Sequence, residues 1–167
     1  MLFAVVIGGT IFVRSYYYST ARQYLTSRMN MVSNILQRSY NDTSISFSSE
    51  VRSVVVNWSE KDKIELMVVS TRGTVGLTSS GFVPSETLES MADYTQAVSS
   101  GSSGYYTGRT DRGEHIMSVC VMLPENEAGF SAIRLVSSLE KIDRQVSTIA
   151  VVLVIICLAI LVLMFLS

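Results

Sequence analysis

Histidine, cysteine and proline are close to missing from this chain, and each shortage narrows what it can do. The one histidine, His115, has no cysteine or carboxylate partners at ligand spacing and so makes a poor metal site. Cys157 falls in a long apolar run and Cys120 in a strand pattern, so no disulfide framework is expected. The two prolines, Pro84 and Pro124, lie in the interior of the chain, so the helical patterns at either end meet no breaker. Charge is sparse and balanced. Charged residues make up 16% of the chain and the net charge is −1, which provides no polybasic surface for nucleic acid. No G-x-S-x-G elbow and no glycine-rich phosphate loop occurs, so hydrolysis and nucleotide chemistry have no motif to stand on.

What the chain does have is apolar length. Ile149 to Leu166 (IAVVLVIICLAILVLMFL) holds no charge, proline or glycine. As a helix it extends about 27 Å, against about 30 Å of bilayer hydrocarbon. A helix apolar all round needs lipid or a large core about it, so residues 149–166 are expected to form a transmembrane helix. A second apolar segment, Met1 to Val13 (MLFAVVIGGTIFV), stops at Arg14. It reaches only about 20 Å, too short to cross alone. No basic n-region precedes it and RSYYYSTAR is a poor cleavage site, so residues 1–13 are expected to be the end of a first transmembrane helix whose beginning is missing. Residues 14–148 then form one domain on one side of the membrane. Arg14, Lys141 and Arg144 flank the spans on the domain side, which by the positive-inside rule weighs against an extracytoplasmic domain. A domain of this length is still translocated despite a few charges.

Within that domain the period of the apolar residues changes twice. Tyr18, Ala21, Leu25, Met29, Val32 and Leu36 repeat in threes and fours, an amphipathic helix or a coiled-coil seam. Phe47, Val51, Val54, Val55 and Trp58 make a second helical face. Ile64–Ser70 and Thr74–Thr78 read as a hairpin through Arg72-Gly73. Pro84-Ser85 is expected to open a short helix with Leu88, Met91, Ala92 and Tyr94 inward, and Ser99–Gly104 (SSGSSG) to be a flexible linker. Tyr105–Thr110 and Glu114–Leu123 form a second hairpin around Asp111-Arg112-Gly113. Phe130–Val136 is the last strand. Ser137-x-x-Glu140 reads as a capping box that opens a helix with Leu139, Ile142 and Val146 on one face, running unbroken into the membrane. Five strands in hairpins with helices before and after make an α+β fold.

With the elements in this order, the chain resembles the extracytoplasmic PAS-like (Cache, or PDC) sensor domains of bacterial transmembrane receptors, sensor histidine kinases above all. The segments that carry the resemblance are IELMVVSTRGTVGLTSSG (Ile64 to Gly81) and GEHIMSVCVMLPENEAGFSAIRLVSSLEKID (Gly113 to Asp143). Thr71-Arg72-Gly73 departs from the family, where acidic residues are commoner in that turn. The resemblance implies a five-stranded antiparallel sheet with a long N-terminal helix, flanked by two transmembrane helices. It also implies a multi-pass membrane protein with residues 14–148 extracytoplasmic. It implies a homodimer whose terminal helices carry a stimulus to a cytoplasmic kinase, a transferase acting on a response regulator and absent from this chain. A chemoreceptor or cyclic-dinucleotide cyclase output, or a membrane-tethered envelope scaffold without signalling, are the alternatives.

The same resemblance implies a pocket between the sheet and the segments that connect its strands, holding a small organic anion or amino acid. Tyr94, Tyr105, Tyr106, Arg109, His115 and Arg134 are the aromatic and basic residues of those segments. Arg134 on an otherwise apolar face is placed to clamp a carboxylate, with a structural ion pair or a solvent-facing arginine as the plainer readings. His115 is by residue type a candidate pH sensor or metal ligand, yet a strand histidine with one hydrogen bond explains it more simply. No cofactor, metal or catalytic residue is expected in this segment. Tyr16, Tyr17 and Tyr18 are expected at the membrane interface, where amphipathic rings collect.

Overall fold

The computed structural model describes residues 2–41, 46–81 and 87–166. The expected helix start at Pro84-Ser85 lies outside the described residues. The chain divides into two compact units, Tyr24–Ser138 and a second formed by Met1–Gln23 with Leu139–Ser167.

In the Tyr24–Ser138 unit, strand-forming runs close into one antiparallel sheet. Its strands are β1 (Ile64–Ser70), β2 (Val75–Thr78), β3 (Ser103–Arg109), β4 (His115–Met122) and β5 (Phe130–Ser138). They lie in the order β2-β1-β5-β4-β3. The β1–β2 and β3–β4 hairpins turn at Gly73 (φ 75°) and Gly113 (φ 84°), a conformation that costs a residue with a Cβ dearly. β5 is the centre of the sheet, paired along its length with β1 on one side and β4 on the other. β4 is interior too, as its two apolar faces predict.

Both faces of the three inner strands, β1, β5 and β4, are largely buried. On one, Val69, Cys120 and Ala132 pack with Leu88, Met91 and Ala97, which belong to a 3₁₀ turn (Leu88–Ser90), the residue after it, and α3 (Ala92–Ser100). On the other, Ile64, Leu66, Val68, Met117, Ile133 and Leu135 are buried. The buried stripes left to meet them are Leu25, Met29, Val32 and Leu36 of α1 (Leu2–Asn41), and Val51, Val55 and Trp58 in and after α2 (Phe47–Val56). Each such side chain contributes about 1.5–3 kcal/mol. Four positions of the three-four repeat of α1, Leu25, Met29, Val32 and Leu36, are therefore buried within the subunit, and Tyr18 and Ala21 are half-buried. The indole N–H of Trp58 donates to the Ile64 carbonyl at 2.8 Å and fixes the end of α2 against the start of β1. Arg28 of α1 pairs with Glu60 at 2.8 Å, and the Tyr24 hydroxyl donates to the same carboxylate.

Three local expectations give way here. Ser99–Gly104 is not a linker: Ser99 and Ser100 close α3, Gly101 caps it in the left-handed region (φ 67°), and Ser103 and Gly104 begin β3. Ser137 is not a helix cap. β5 runs through Ser138 and the Ser137 hydroxyl donates to the Lys63 carbonyl at 3.1 Å, because an extended backbone beside β1 satisfies that hydroxyl as well as a helix start does. Ala92 is exposed, and Asp93 is buried in its place.

In the second unit, the start of α1 lies antiparallel to α4 (Glu140–Leu166). The Tyr18 hydroxyl donates to Asp143 Oδ1 at 2.6 Å. About 2.5 turns earlier on α1 and about 2.8 turns later on α4, a Cβ at Gly9 would lie 3.6 Å from Leu153 Cδ1. The two contacts agree on one register. Burial and the bond to Asp143 raise the Tyr18 phenol above its ordinary pKa, and the Arg14 guanidinium lies 5.3 Å from the centre of its ring. α4 is long and apolar enough to cross a membrane, over Glu140–Leu163 with a mean hydropathy of 3.3 in its most apolar window, and is the one such helix among the described residues.

Candidate functional site

The face of the sheet under α3 is where polar chemistry is buried. α3 comes close enough to β3 that a Cβ at Gly104 would sit 1.8 Å from the Asp93 carbonyl oxygen and 2.6 Å from the Ala97 nitrogen. A glycine is thus what lets the helix lie on the strand. That approach carries Asp93, in the first turn of α3, to Arg134 on β5. The guanidinium Nε donates to Asp93 Oδ2 at 2.7 Å, with the two side chains 3% and 0% exposed. Arg134 Nη1 lies 3.9 Å from Met67 Sδ. Asp93 Oδ1 and the Ser118 hydroxyl, both buried, have no hydrogen-bond partner among the described residues. Cys120, opposite Arg134 in the register, has its thiol pushed up to about 12, chiefly by burial and then by the Asp93 charge.

Two cavities open against α3 and the turn before it. Tyr106, Arg109 and Arg134 border one of about 20 Å³ together with Ser90, Asp111 and Ile116, room for a single water. The Tyr106 hydroxyl donates to the Arg109 carbonyl at 3.1 Å, and Arg109 Nη1 donates to the Gly113 carbonyl at 2.7 Å. The other is a groove of about 670 Å³ between the β1–β2 turn and the segment leading into α3, within the range of small-molecule sites. Val75, Leu88, Tyr94 and Val98 give it apolar walls, and Arg72 and Glu89 place opposite charges on it. Such a groove suits a small amphipathic molecule that carries both charges.

The structure therefore divides the residues expected at one pocket. Tyr106, Arg109 and Arg134 come together, but around a space too small for an organic anion, and the carboxylate that Arg134 holds is the chain's own Asp93. Tyr94 lines the larger groove. Tyr105 and His115 border neither cavity. They share the register set of Val119 and Met117, on the face away from α3, and the Tyr105 amide donates to Gln96 Oε1 at 2.6 Å. Sequence reasoning missed Asp93 and Val98, and it assigned no site role to Ser118 or Arg72. For Asp93 the signal was one of phase: Asp93 and Ala97 are the buried pair of α3, four apart, so the inward face of this helix starts on a carboxylate. Compared with known proteins, the chain matches no family model and no curated protein.

Proposed function

We propose that the chain is the signal-sensing input region of a membrane-bound sensor histidine kinase, a PAS-like (Cache) extracytoplasmic domain over residues 14–148 between transmembrane helices at 1–13 and 149–166. The observation that carries this reading is continuity. β5, the centre of the sheet, ends at Ser138, and one residue later α4 begins and runs unbroken from Glu140 to Leu166. A helix without a flexible break passes on a rotation or shift that a glycine-rich linker would absorb. The start of α1 supports the second span. It shares a register with α4, and Val5, Ile11 and Phe12 on it are 68%, 63% and 72% exposed, an apolar surface that lipid would cover.

The groove at Arg72, Leu88, Tyr94 and Val98 is the place for a stimulus in this reading, a small zwitterionic or amphipathic molecule. The homodimer forms through the outward face of α1, where Tyr24, Met31 and Ile35 are 39%, 41% and 36% exposed, since Leu25, Met29, Val32 and Leu36 are spent inside the subunit. Output passes through the kinase to a response regulator.

The test joins the chain, through Ser167, to a histidine kinase core in membranes and follows autophosphorylation. One alanine inserted after Ser147 turns everything beyond it by about 100° and is expected to change kinase output several-fold. Two glycines at the same place are expected to make output insensitive to changes in the sensor domain. Autophosphorylation indifferent to both insertions would sink the reading.

A further inference from the structure

α4 carries an exposed stripe from its first turn to Leu158. Lys141, Arg144, Thr148, Val151, Ile155 and Leu158 alternate three and four apart, so they lie on one stripe of the helix, and all six are exposed. Val151, Ile155 and Leu158 are 56%, 59% and 54% exposed. The stripe is cationic for its first turn and aliphatic thereafter. The two acidic side chains of that turn are engaged: Asp143 accepts the Tyr18 hydroxyl and Glu140 has a partner of its own. Lys141 and Arg144 have no ion-pair partner among the described residues. The apolar part, Thr148 to Leu158, is about 15 Å long, half the hydrocarbon thickness of a bilayer and so the depth of one leaflet.

We propose that this stripe is a binding surface for an anionic phospholipid, its phosphate held by Lys141 and Arg144 and one acyl chain laid along Val151, Ile155 and Leu158. The inference rests on the membrane reading above. Charge selects the occupant. A second copy of α4 packed in parallel along the stripe would set Lys141 against Lys141 and Arg144 against Arg144, and like charges on a helix seam repel. A phosphate between the two cations is instead bound by charge-assisted hydrogen bonds, with an acyl chain covering the aliphatic remainder. The cations that counted against the expected topology thus acquire a partner on their own side of the bilayer.

The test uses the full chain in nanodiscs of phosphatidylcholine containing a trace of spin-labelled phosphatidylglycerol or spin-labelled phosphatidylcholine. The fraction of each label immobilised by the protein gives its selectivity. Wild type is expected to favour phosphatidylglycerol, and Lys141→Gln with Arg144→Gln to lower that preference about tenfold, with 0.5 M salt weakening it as well. Ile155→Glu keeps both cations and is expected to lower association of both labels. Equal affinity for the two labels in wild type would overturn the proposal, and so would a preference unchanged in the double variant. Efficient disulfide formation between copies carrying Ile155→Cys, in discs of either lipid, would assign the stripe to a second copy. Exclusion of the chain from the nanodiscs would overturn the membrane reading itself, a result separable from insertion without selectivity.

Discussion

Asp93 of α3 and Arg134 of β5 hold each other at 2.7 Å with almost no exposure, so the helix beside the groove and the central strand that leads to α4 share one buried ion pair. Two charges out of water are stable together and costly apart. The pair sets where α3 lies more than it adds to net stability.

Removal of one partner is therefore expected to cost far more than removal of both. Arg134→Met leaves a buried carboxylate alone and is expected to destabilise the fold by about 3–5 kcal/mol. Asp93→Leu combined with Arg134→Met is expected to recover most of that loss. Urea unfolding of the full chain in detergent, followed by the fluorescence of Trp58, the single buried tryptophan, measures both. A double-variant loss equal to the sum of the Arg134→Met and Asp93→Leu losses would show that the pair is not coupled.

Gly104 carries a second expectation. A Cβ there would be 1.8 Å from the Asp93 carbonyl oxygen, and the obstacle is backbone, which has nowhere to turn. Gly104→Ala is expected to cost about 3 kcal/mol or more, the upper end for overpacking. Gly101→Ala, where a Cβ meets nothing within 4 Å but φ is 67°, is expected to cost about 1–2 kcal/mol from backbone strain alone. If Gly104→Ala unfolds at the same urea concentration as wild type, the close approach of α3 to β3 is wrong.

Cys120 makes the stability depend on pH in the alkaline range. Its thiol sits at about 12 in the folded chain, against about 8.5 for an unfolded cysteine. Below about pH 8.5 both states keep the proton and the residue contributes no slope. Between that pH and 12 the unfolded state loses its proton first, so stability falls as pH rises, by up to about 1.4 kcal/mol per unit. Cys120→Ala is expected to unfold with a shallower pH dependence than wild type between pH 9 and 10.5. Iodoacetamide at pH 8 is expected to label Cys120 slowly until urea is added, since the thiolate is the nucleophile. Rapid labelling of Cys120 in the folded chain would contradict its burial.

The strands and the two long helices were legible because each rests on local periodicity. Ile64–Ser70 and Leu25, Met29, Val32 and Leu36 read correctly from spacing alone. The errors fall where a distant partner decides. SSGSSG has the composition of a linker, but its last glycine is fixed by a helix backbone that must pass over it. Ser137 and Glu140 have the spacing of a capping box, yet the hydroxyl bonds to Lys63, far away in sequence. Asp93 draws no notice in the sequence until Arg134 is placed across from it. Of the residues expected at one pocket, Tyr106, Arg109 and Arg134 border a water-sized cavity, and nothing local says that the chain fills its own arginine clamp.

The sheet order also sets a timetable. The β1–β2 and β3–β4 hairpins are complete within their own stretches of chain, but β5, the strand that joins them, is made last. Ile64 waits for Ser137, and Ser118 for Val136. β4 gains β5 through a short loop, but β1 keeps its inner edge unpaired until chain far along the sequence is made, and pairing at such separation forms slowly. Until residues 130–138 are made, β1 holds an open inner edge, ready to pair wrongly with another chain. The strand that carries Arg134 is the one that closes the sheet.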